Sequence, residues 1–264
     1  MSNLHFKTGI ELEYENQIRG FPHVQLWDVK RDNNLAEIAS KVLVTEKQLK
    51  DSLDEVHKIS SKLKVGHGRG LHIHVCVSDL KDLGAKYRIF RALLHMEPAF
   101  FDLAKPHSAR VQWCKKFADD VRPAMLSKET GFDIGSKAPS IAGDNGSRYH
   151  WCNFNAYRKF GTLEVRLFNT TKDMEVTLGW VSVLQTFFDA VVNGKLRFPW
   201  EATATTRDQQ KEAWSAIFDS AKPCYTREVA NDFLTKLYDP ESNSHSTSVN
   251  ATPALSVHLA GNLP

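Results

Sequence analysis

Residues 71–77, which read LHIHVCV, alternate aliphatic and polar side chains with a period of two. In a β-strand, residues two apart point to the same face, so His72 and His74 share one face and the aliphatic residues occupy the other. This pattern is typical of an antiparallel sheet with one buried and one polar face. The segment therefore predicts a strand that holds two imidazoles side by side.

Two other segments repeat this arrangement. The segment IELE puts Glu11 and Glu13 on one face, and the segment LEVR puts Glu164 and Arg166 on one face. In both segments the opposite face is strongly apolar. If the three strands lie side by side, their polar faces merge into one surface of carboxylates, imidazoles and a guanidinium.

The remaining patterns predict further elements along the chain. Period-two patterns predict further strands at residues 4–15, 24–30, 35–40, 149–157 and 162–168, the last two forming a hairpin that turns near 159–161. Period-3.6 patterns, the first opened by a capping box, predict helices at residues 45–63, 81–105, 175–192, 207–221 and 227–238. Pro98 is expected to break the second helix, and residues 127–147, rich in Gly, Ser and Asp, read as a long functional loop.

These elements predict an α+β fold, in which an antiparallel sheet has helices packed on one side. We expect a single domain over residues 1–240, with the motifs in residues 8–170 and a helical part in residues 171–240. The polar residues 241–264 read as a flexible tail.

The charge balance and the cysteine pattern bear on the kind of partner and on the cellular compartment. The chain has 264 residues, of which 34 are basic and 31 acidic, with a net charge of +3. This balance argues against a specific nucleic-acid partner. The four cysteines are widely spaced without a CxxC pair, as expected in a reducing compartment. With neither a signal peptide nor an apolar segment of membrane-spanning length recognised, we expect a cytoplasmic protein without membrane contact, and we leave the oligomeric state open.

The merged polar face has the donors of a metal site. Close carboxylates repel one another unless a cation lies between them, and carboxylates with one or two imidazoles suit Mg²⁺ or Mn²⁺. Arg166 would point at the same place as Glu164. Cations beside a fixed arginine are what a transferring phosphoryl group needs.

Three further polar residues are candidates for the same site. Glu37 lies in the apolar strand AEIAS, where a buried carboxylate is costly unless it is paired or metal-bound; the alternative is an exposed edge residue. Asp32 lies in a turn-like run and could be no more than a turn residue. Arg148 precedes the strand expected to pair with residues 162–168, and its alternative is ordinary strand filling.

Simpler interpretations exist for each strand alone. Glu11, Glu13 and Glu15 in isolation are more often the solvated face of an edge strand, and Glu164 with Arg166 could be a surface ion pair. Two other functions also stay open. One is a non-haem iron enzyme with two histidines and one carboxylate, and the other is a non-catalytic binding module that keeps the fold.

Short blocks carry a resemblance to a known family. They are TGIELE from residue 8, WDVKRD from residue 27 with AEIAS from residue 36, GLHIHV from residue 70, and RYHWCN from residue 148 with GTLEVRLF from residue 161. In this order they resemble the amidoligase family, which is related to glutamine synthetases and glutamate–cysteine ligases. The second block departs from the family pattern, because its usual Asp-Gly-Ser is Asp32-Asn33-Asn34 here, and the resemblance implies an acceptor-side role for Asp32.

The resemblance implies a glutamine-synthetase-type catalytic domain that uses ATP and Mg²⁺ or Mn²⁺. It implies that an acyl phosphate forms from ATP and a carboxylate substrate, and that an amine substrate then displaces the phosphate. It implies metal ligands at Glu11, His72 and Glu164 for one ion and at Glu13 and Glu37 for the other. It further implies that His74 and Arg166 contact nucleotide phosphates and that Arg148 contacts a phosphate or the acyl phosphate.

Overall fold

The computed structural model describes residues 2–19, 21–32, 35–77, 83–117, 149–192, 196, 198 and 204–239. Within these ranges a seven-stranded sheet forms the centre of the fold. Its strands are β1 Asn3–Gln17, β2 Trp27–Asp32, β3 Leu35–Ser40, β4 Leu43–Thr45, β5 Gly70–Cys76, β6 Cys152–Asn153 and β7 Thr162–Asn169.

The sheet is antiparallel throughout its strand pairs and follows the order β2-β3-β1-β5-β7-β6. The long central strand β1 pairs with β5 along one edge. Along its other edge it pairs with β3 through residues 11–17 and with β4 through residues 3–8. The three motif-bearing strands are therefore adjacent, in the order β1, β5, β7.

Six α-helices lie within the described part of the chain. They are α1 Glu46–Ile59, α2 Leu83–Ala104, α3 Asn155–Phe160, α4 Met174–Val192, α5 Arg207–Ser220 and α6 Tyr225–Tyr238. Thr45 starts α1 with the predicted capping box, in which its hydroxyl accepts from Gln48 N and the Gln48 side chain accepts from Thr45 N. Such a cap stabilises a helix by about 1 kcal/mol.

One face of the sheet forms the core. Its side chains from β1, β5 and β7 are fully buried: Ile10, Leu12, Leu71, Ile73, Val75, Leu163, Val165 and Leu167. Burying each of these contributes roughly 1.5–3 kcal/mol. Helix α4 packs against β1 and β5, and α2 packs against β7 and α4. The α+β prediction is confirmed.

Helix α4 also completes the hydrogen bonding of β1. The register of β1 against β4 shifts between Asn3 and Thr8. Within that interval Gln185 Oε1 accepts from Phe6 N at 3.0 Å, while Gln185 Nε2 donates to Phe6 O at 2.9 Å and to Thr8 Oγ1 at 2.6 Å. One glutamine side chain thus pairs with the strand backbone as a neighbouring strand would.

Helix α4 corrects one expectation about apolar length. It is the one helix of the described ranges that is long and apolar enough to cross a membrane, but 78% of its apolar window is buried inside the protein. The sequence prediction that no segment reaches this length is wrong. The burial against the sheet and the neighbouring helices is that of a core helix.

The structure corrects two local predictions. Pro98 lies inside α2 and does not end it, because burial of neighbours such as Ala99 and Phe100 offsets the lost hydrogen bond. The predicted hairpin is interrupted, since only Cys152–Asn153 is a strand and α3 follows it. Helix α3 ends at Gly161, whose φ of 69° is left-handed and suits glycine. Residues 127–147 and the tail 241–264 lie outside the described ranges.

Candidate metal and phosphate site

Strand register brings the predicted polar residues together on the face of the sheet opposite the core. Glu11 on β1 lies directly across from His72 on β5, and His74 on β5 lies across from Glu164 on β7. Glu13 lies across from Glu37 on β3. The alternation read from the sequence therefore produces one continuous acidic and imidazole-bearing surface, which we call the acidic site.

His72 lies at the centre of the acidic site and contacts three carboxylates. Its Nδ1 lies 3.5 Å from Glu11 Oε2 and 3.4 Å from Glu164 Oε1, and its Nε2 lies 3.6 Å from Glu13 Oε1. The side chain is only 5% exposed. These distances are long for hydrogen bonds. The imidazole therefore interacts electrostatically with three carboxylates at once and is not tightly bonded to any one of them.

Glu11, His74 and Glu164 form a tight triplet of possible metal-ligand atoms on the described part of the chain. One ligand atom from each lies within 4.8 Å of the others. His74 Nδ1 is hydrogen-bonded to Thr162 Oγ1 at 2.9 Å. Its Nε2 is buried and has no hydrogen-bond partner among the described residues, with Glu11 Oε2 at 3.6 Å. An imidazole held through one nitrogen with the other turned toward carboxylates has the geometry of a metal ligand.

The electrostatics of Glu11 and Glu37 differ. Burial alone would raise the pKa of Glu11, but the adjacent imidazoles of His72 and His74 outweigh it and hold the pKa far below its usual range. For Glu37, burial raises the pKa, and the nearby negative charge of Glu11 raises it further. A group of carboxylates in which one resists ionisation favours a cation among them.

The family model described as "Putative amidoligase enzyme" matches residues 30–188, more than half of the chain. The chain belongs to the amidoligase family. The resemblance predicted from the sequence is thereby confirmed, and it assigns the chain as a ligase-type enzyme that joins two substrates. The matched range contains β5 and β7 with their site residues, whereas Glu11 and Glu13 precede it. A search of the curated proteins found no match.

Glu164 and Arg166 of this amidoligase point to the same place, as predicted. Arg166 Nη1 lies 3.4 Å from Glu164 Oε1. The other carboxylate oxygen of Glu164 accepts a 2.6 Å hydrogen bond from Asn153 Nδ2. Glu164 is therefore fixed by β6 on one side and pairs with the arginine on the other, which orients both toward the acidic site.

Arg110 is a part of the acidic site that the sequence did not reveal. It is almost completely buried, its Nη1 lies 3.6 Å from Glu13 Oε2, and its Nη2 donates to the backbone carbonyl of Arg166 at 2.7 Å. Burial lowers its pKa. Gly70 makes room for it, because a Cβ at Gly70 would meet the guanidinium. Arg110 lies outside every strand motif, so only its closeness to Glu13 in the fold identifies it.

Lys30 is a second residue that the sequence did not single out. Its Nζ lies 3.5 Å from Glu11 Oε1 and 3.8 Å from Glu37 Oε1. It stands across from Glu37 in the β2–β3 ladder. The signal that the sequence offered was the position of Lys30 inside the WDVKRD block, which forms the strand next to that of Glu37.

For two of the predicted site residues, Asp32 and Arg148, the side chain lies outside what the structure describes. Asp32 ends β2 opposite Leu35, and the placement of its side chain is not described. Arg148 lies outside the described residues. Their assigned roles stay predictions, as do the separate roles of His72 as a ligand and His74 as a phosphate contact. The tight triplet contains His74 and not His72.

Proposed function

We propose that this amidoligase is an ATP-dependent carboxylate–amine ligase that works through an acyl phosphate with Mg²⁺ or Mn²⁺. The observation that carries the proposal is the Glu11–His74–Glu164 triplet with Arg166 beside it. A cation site next to a fixed guanidinium suits phosphoryl transfer, in which catalysis consists of positioning and charge neutralisation.

The donor set fits a hard divalent cation. Carboxylate oxygens with one imidazole nitrogen are ligands that Mg²⁺ and Mn²⁺ accept. The buried Nε2 of His74 has no other described partner and faces Glu11. We propose Glu11, His74 and Glu164 as one ligand set, with His72, Glu13 and Glu37 next to it for a second ion. A bound ion would neutralise the charge of the nucleotide phosphates.

The side chains of the site then have distinct roles in the proposed reaction. An oxygen of the carboxylate substrate attacks the γ-phosphorus of ATP, ADP leaves, and an acyl phosphate forms. Arg166 offers paired N–H donors to the equatorial phosphate oxygens. Arg110 holds Glu13 and the carbonyl of Arg166, and so fixes the strand that carries the donors.

In the second step the nitrogen of the amine substrate attacks the carbonyl carbon of the acyl phosphate. The C–O bond to phosphate breaks, inorganic phosphate leaves, and the amine loses a proton. Asp32 and Arg148 are the acceptor-side and phosphate-side candidates for this step. The position of Asp32 at the end of β2, next to the site-bearing strand β3, supports its candidacy.

The test measures ATP-dependent phosphate release with pools of carboxylates and amines, and mass spectrometry identifies any amide product. We expect release that requires both pools and Mg²⁺ or Mn²⁺ and that Glu164→Gln abolishes. ATP with Mg²⁺ should also raise the unfolding temperature. Stabilisation by Fe²⁺ with a 2-oxo acid, with neither phosphate release nor nucleotide binding, would refute the ligase proposal in favour of an iron enzyme.

A further inference from the structure

A second cluster of reactive groups lies away from the acidic site, and we call it the thiol site. His5 Nε2 lies 3.2 Å from Cys224 Sγ, and His5 Nδ1 lies 2.9 Å from Asp189 Oδ1. The second oxygen of Asp189 accepts a 2.7 Å hydrogen bond from the backbone N–H of Lys222. A thiol, an imidazole and a carboxylate are thus connected in series, with the carboxylate anchored by the backbone.

The three residues come from three elements of the fold. His5 lies on β1, Asp189 on α4, and Cys224 is the N-cap of the 14-residue helix α6. None of the three lies within the family match, which ends at residue 188. His5 is six residues from Glu11, a distance of about 20 Å along a strand, so the thiol site is separate from the acidic site.

The other cysteines show what an unreactive thiol looks like in this chain. Cys114 and Cys152 are fully buried, and burial raises the pKa of both thiols. Cys224, in contrast, is only partly buried. A partly exposed thiol beside a histidine is the arrangement of reactive cysteines.

The charges at the thiol site favour the nucleophilic form of Cys224. Hydrogen bonding to Asp189, and then to Cys224, raises the pKa of His5 to about 9. Burial opposes ionisation of Cys224, but hydrogen bonds with His5 and Thr226 outweigh it and lower the thiol pKa. The N-terminus of α6 adds a favourable dipole. Both pKa shifts favour the thiolate–imidazolium form of the Cys224–His5 pair over the neutral form.

We propose that Cys224 is the nucleophile of a second active site, which takes an acyl group from an ester or a thioester, with His5 as proton donor and Asp189 as the positioning residue. The proposal rests on a nucleophile, a base and an orienting carboxylate in sequence within hydrogen-bond reach. It does not depend on the proposed ligase function.

The proposed reaction at the thiol site consists of an acylation step and a deacylation step. The thiolate of Cys224 attacks the carbonyl carbon, and an S–C bond forms. The bond from that carbon to the alcohol or thiol oxygen or sulfur breaks, and the leaving group takes the proton from His5 Nε2. The thioester is then attacked by water or an amine whose proton passes to His5, which releases the acid or amide and restores the thiolate–imidazolium pair.

The test uses p-nitrophenyl acetate as the acyl probe on the full chain at pH 7, with peptide mapping of the acetylated cysteines. We expect Cys224 to be acetylated at least about tenfold faster than Cys76, because the thiolate is the attacking species and His5 favours it at Cys224. His5→Gln should remove this advantage. Asp189→Asn, read through its pH profile, should move acetylation to higher pH. Cys76→Ser is the matched control and should leave the Cys224 rate unchanged.

The acetylation rates of Cys224 and Cys76 in the wild-type chain test the proposal even where a variant fails to fold. Equal acetylation rates at Cys224 and Cys76 would overturn the proposal. So would a folded His5→Gln variant that keeps the wild-type rate, or tight Zn²⁺ binding at His5 and Cys224 without acetylation. Cys224→Ser should keep ATP-dependent phosphate release, which separates failure of this proposal from failure of the ligase proposal.

Discussion

The middle and the beginning of strand β1 contact histidines in different ways. In the acidic site, Glu11 contacts His72 and His74 at 3.5 and 3.6 Å, and His72 is shared among three carboxylates. In the thiol site, each nitrogen of His5 has one partner, at 2.9 and 3.2 Å. Crowded negative charge with shared imidazoles attracts an added cation, whereas one-to-one pairing directs a proton between fixed atoms. The same strand thus carries two different charge environments.

The largest expected effect tests whether the acidic site needs the paired N–H donors of an arginine as well as a positive charge. We expect Arg166→Lys to keep the fold and lose roughly 10²- to 10³-fold in ATP-dependent phosphate release, because lysine cannot make the bidentate phosphate contact. Steady-state phosphate assays measure the loss. Arg31→Lys, a change at an exposed position of β2, is the matched control. Full activity of Arg166→Lys would leave the arginine as no more than a partner of Glu164.

The next effect tests whether the shared charges bind a cation. Glu11→Gln should weaken Mn²⁺ binding in titration calorimetry by at least the roughly 10- to 100-fold seen when a supporting partner of a metal is lost. The matched control is Glu15→Gln. Glu15 follows Glu11 and Glu13 in the same period-two alternation of β1, but it is exposed to solvent. Equal losses in both variants would mean that net charge alone draws the ion.

A smaller difference separates the two imidazoles of the acidic site. Thr162 holds His74 Nδ1, and the buried His74 Nε2 has no hydrogen-bond partner among the described residues. We therefore expect His74→Asn to cost more Mn²⁺ affinity than His72→Asn, by about tenfold. Thr162→Val, which removes the partner of His74 Nδ1, should reproduce part of the loss. The reverse order would return the ligand role to His72, as the family resemblance implies.

A substitution at Gly70 tests whether the contact between Arg110 and Glu13 stabilises the protein. Gly70→Ala should displace the Arg110 guanidinium and unpair it from Glu13, at a cost of about 1–3 kcal/mol in the free energy of unfolding. Urea denaturation measures the change. Gly68→Ala is the control, since a Cβ there meets no described atom. A Gly70→Ala variant as stable as wild type would show that Arg110 relaxes without loss.

The smallest effect belongs to the thiol-site end of β1. The pKa of His5 is raised from 6.5 to about 9, so its stabilising contribution is complete below pH 6.5 and is lost as pH rises through 9. The pKa of Asp189 is lowered, so its contribution is present above its unfolded pKa and lost as pH falls through the folded value. His5→Gln should lose about 1 kcal/mol near pH 6 and nothing near pH 10.

Thermal melts across this pH range, with the exposed His57→Gln as control, measure that loss. A deficit of His5→Gln that does not change between pH 6 and pH 10 would mean that packing, and not the ion pair, stabilises this end of β1. Such a result would weaken the contrast between the thiol site and the acidic site on this strand.

The sequence predicted those parts of the molecule in which periodicity is a physical constraint. Alternation in β1, β5 and β7 fixes which residues share a face, so the partnership of Glu11 with His72 and of His74 with Glu164 followed once the strands were neighbours. A capping box at Thr45 likewise marks the start of α1.

The remaining features depend on tertiary contacts that no local pattern records. Arg110 reaches the site from a loop, and its burial depends on the missing side chain of Gly70. The thiol site joins residues 219 positions apart in the chain. Helix α3 replaces a strand because Asn153 Oδ1 accepts from Asn155 N, a local turn that competes with the ladder.

The bond between Gln185 and the backbone of β1 has a consequence for how the chain folds. Strand β1 depends on a side chain 179 residues later in the chain to pair Phe6, and its neighbour β5 also follows far along the chain, at residues 70–76. Contacts of such sequence separation form slowly. A nascent chain shorter than about residue 190 therefore presents an unfinished strand edge, and this is the stage at which we expect aggregation or chaperone capture.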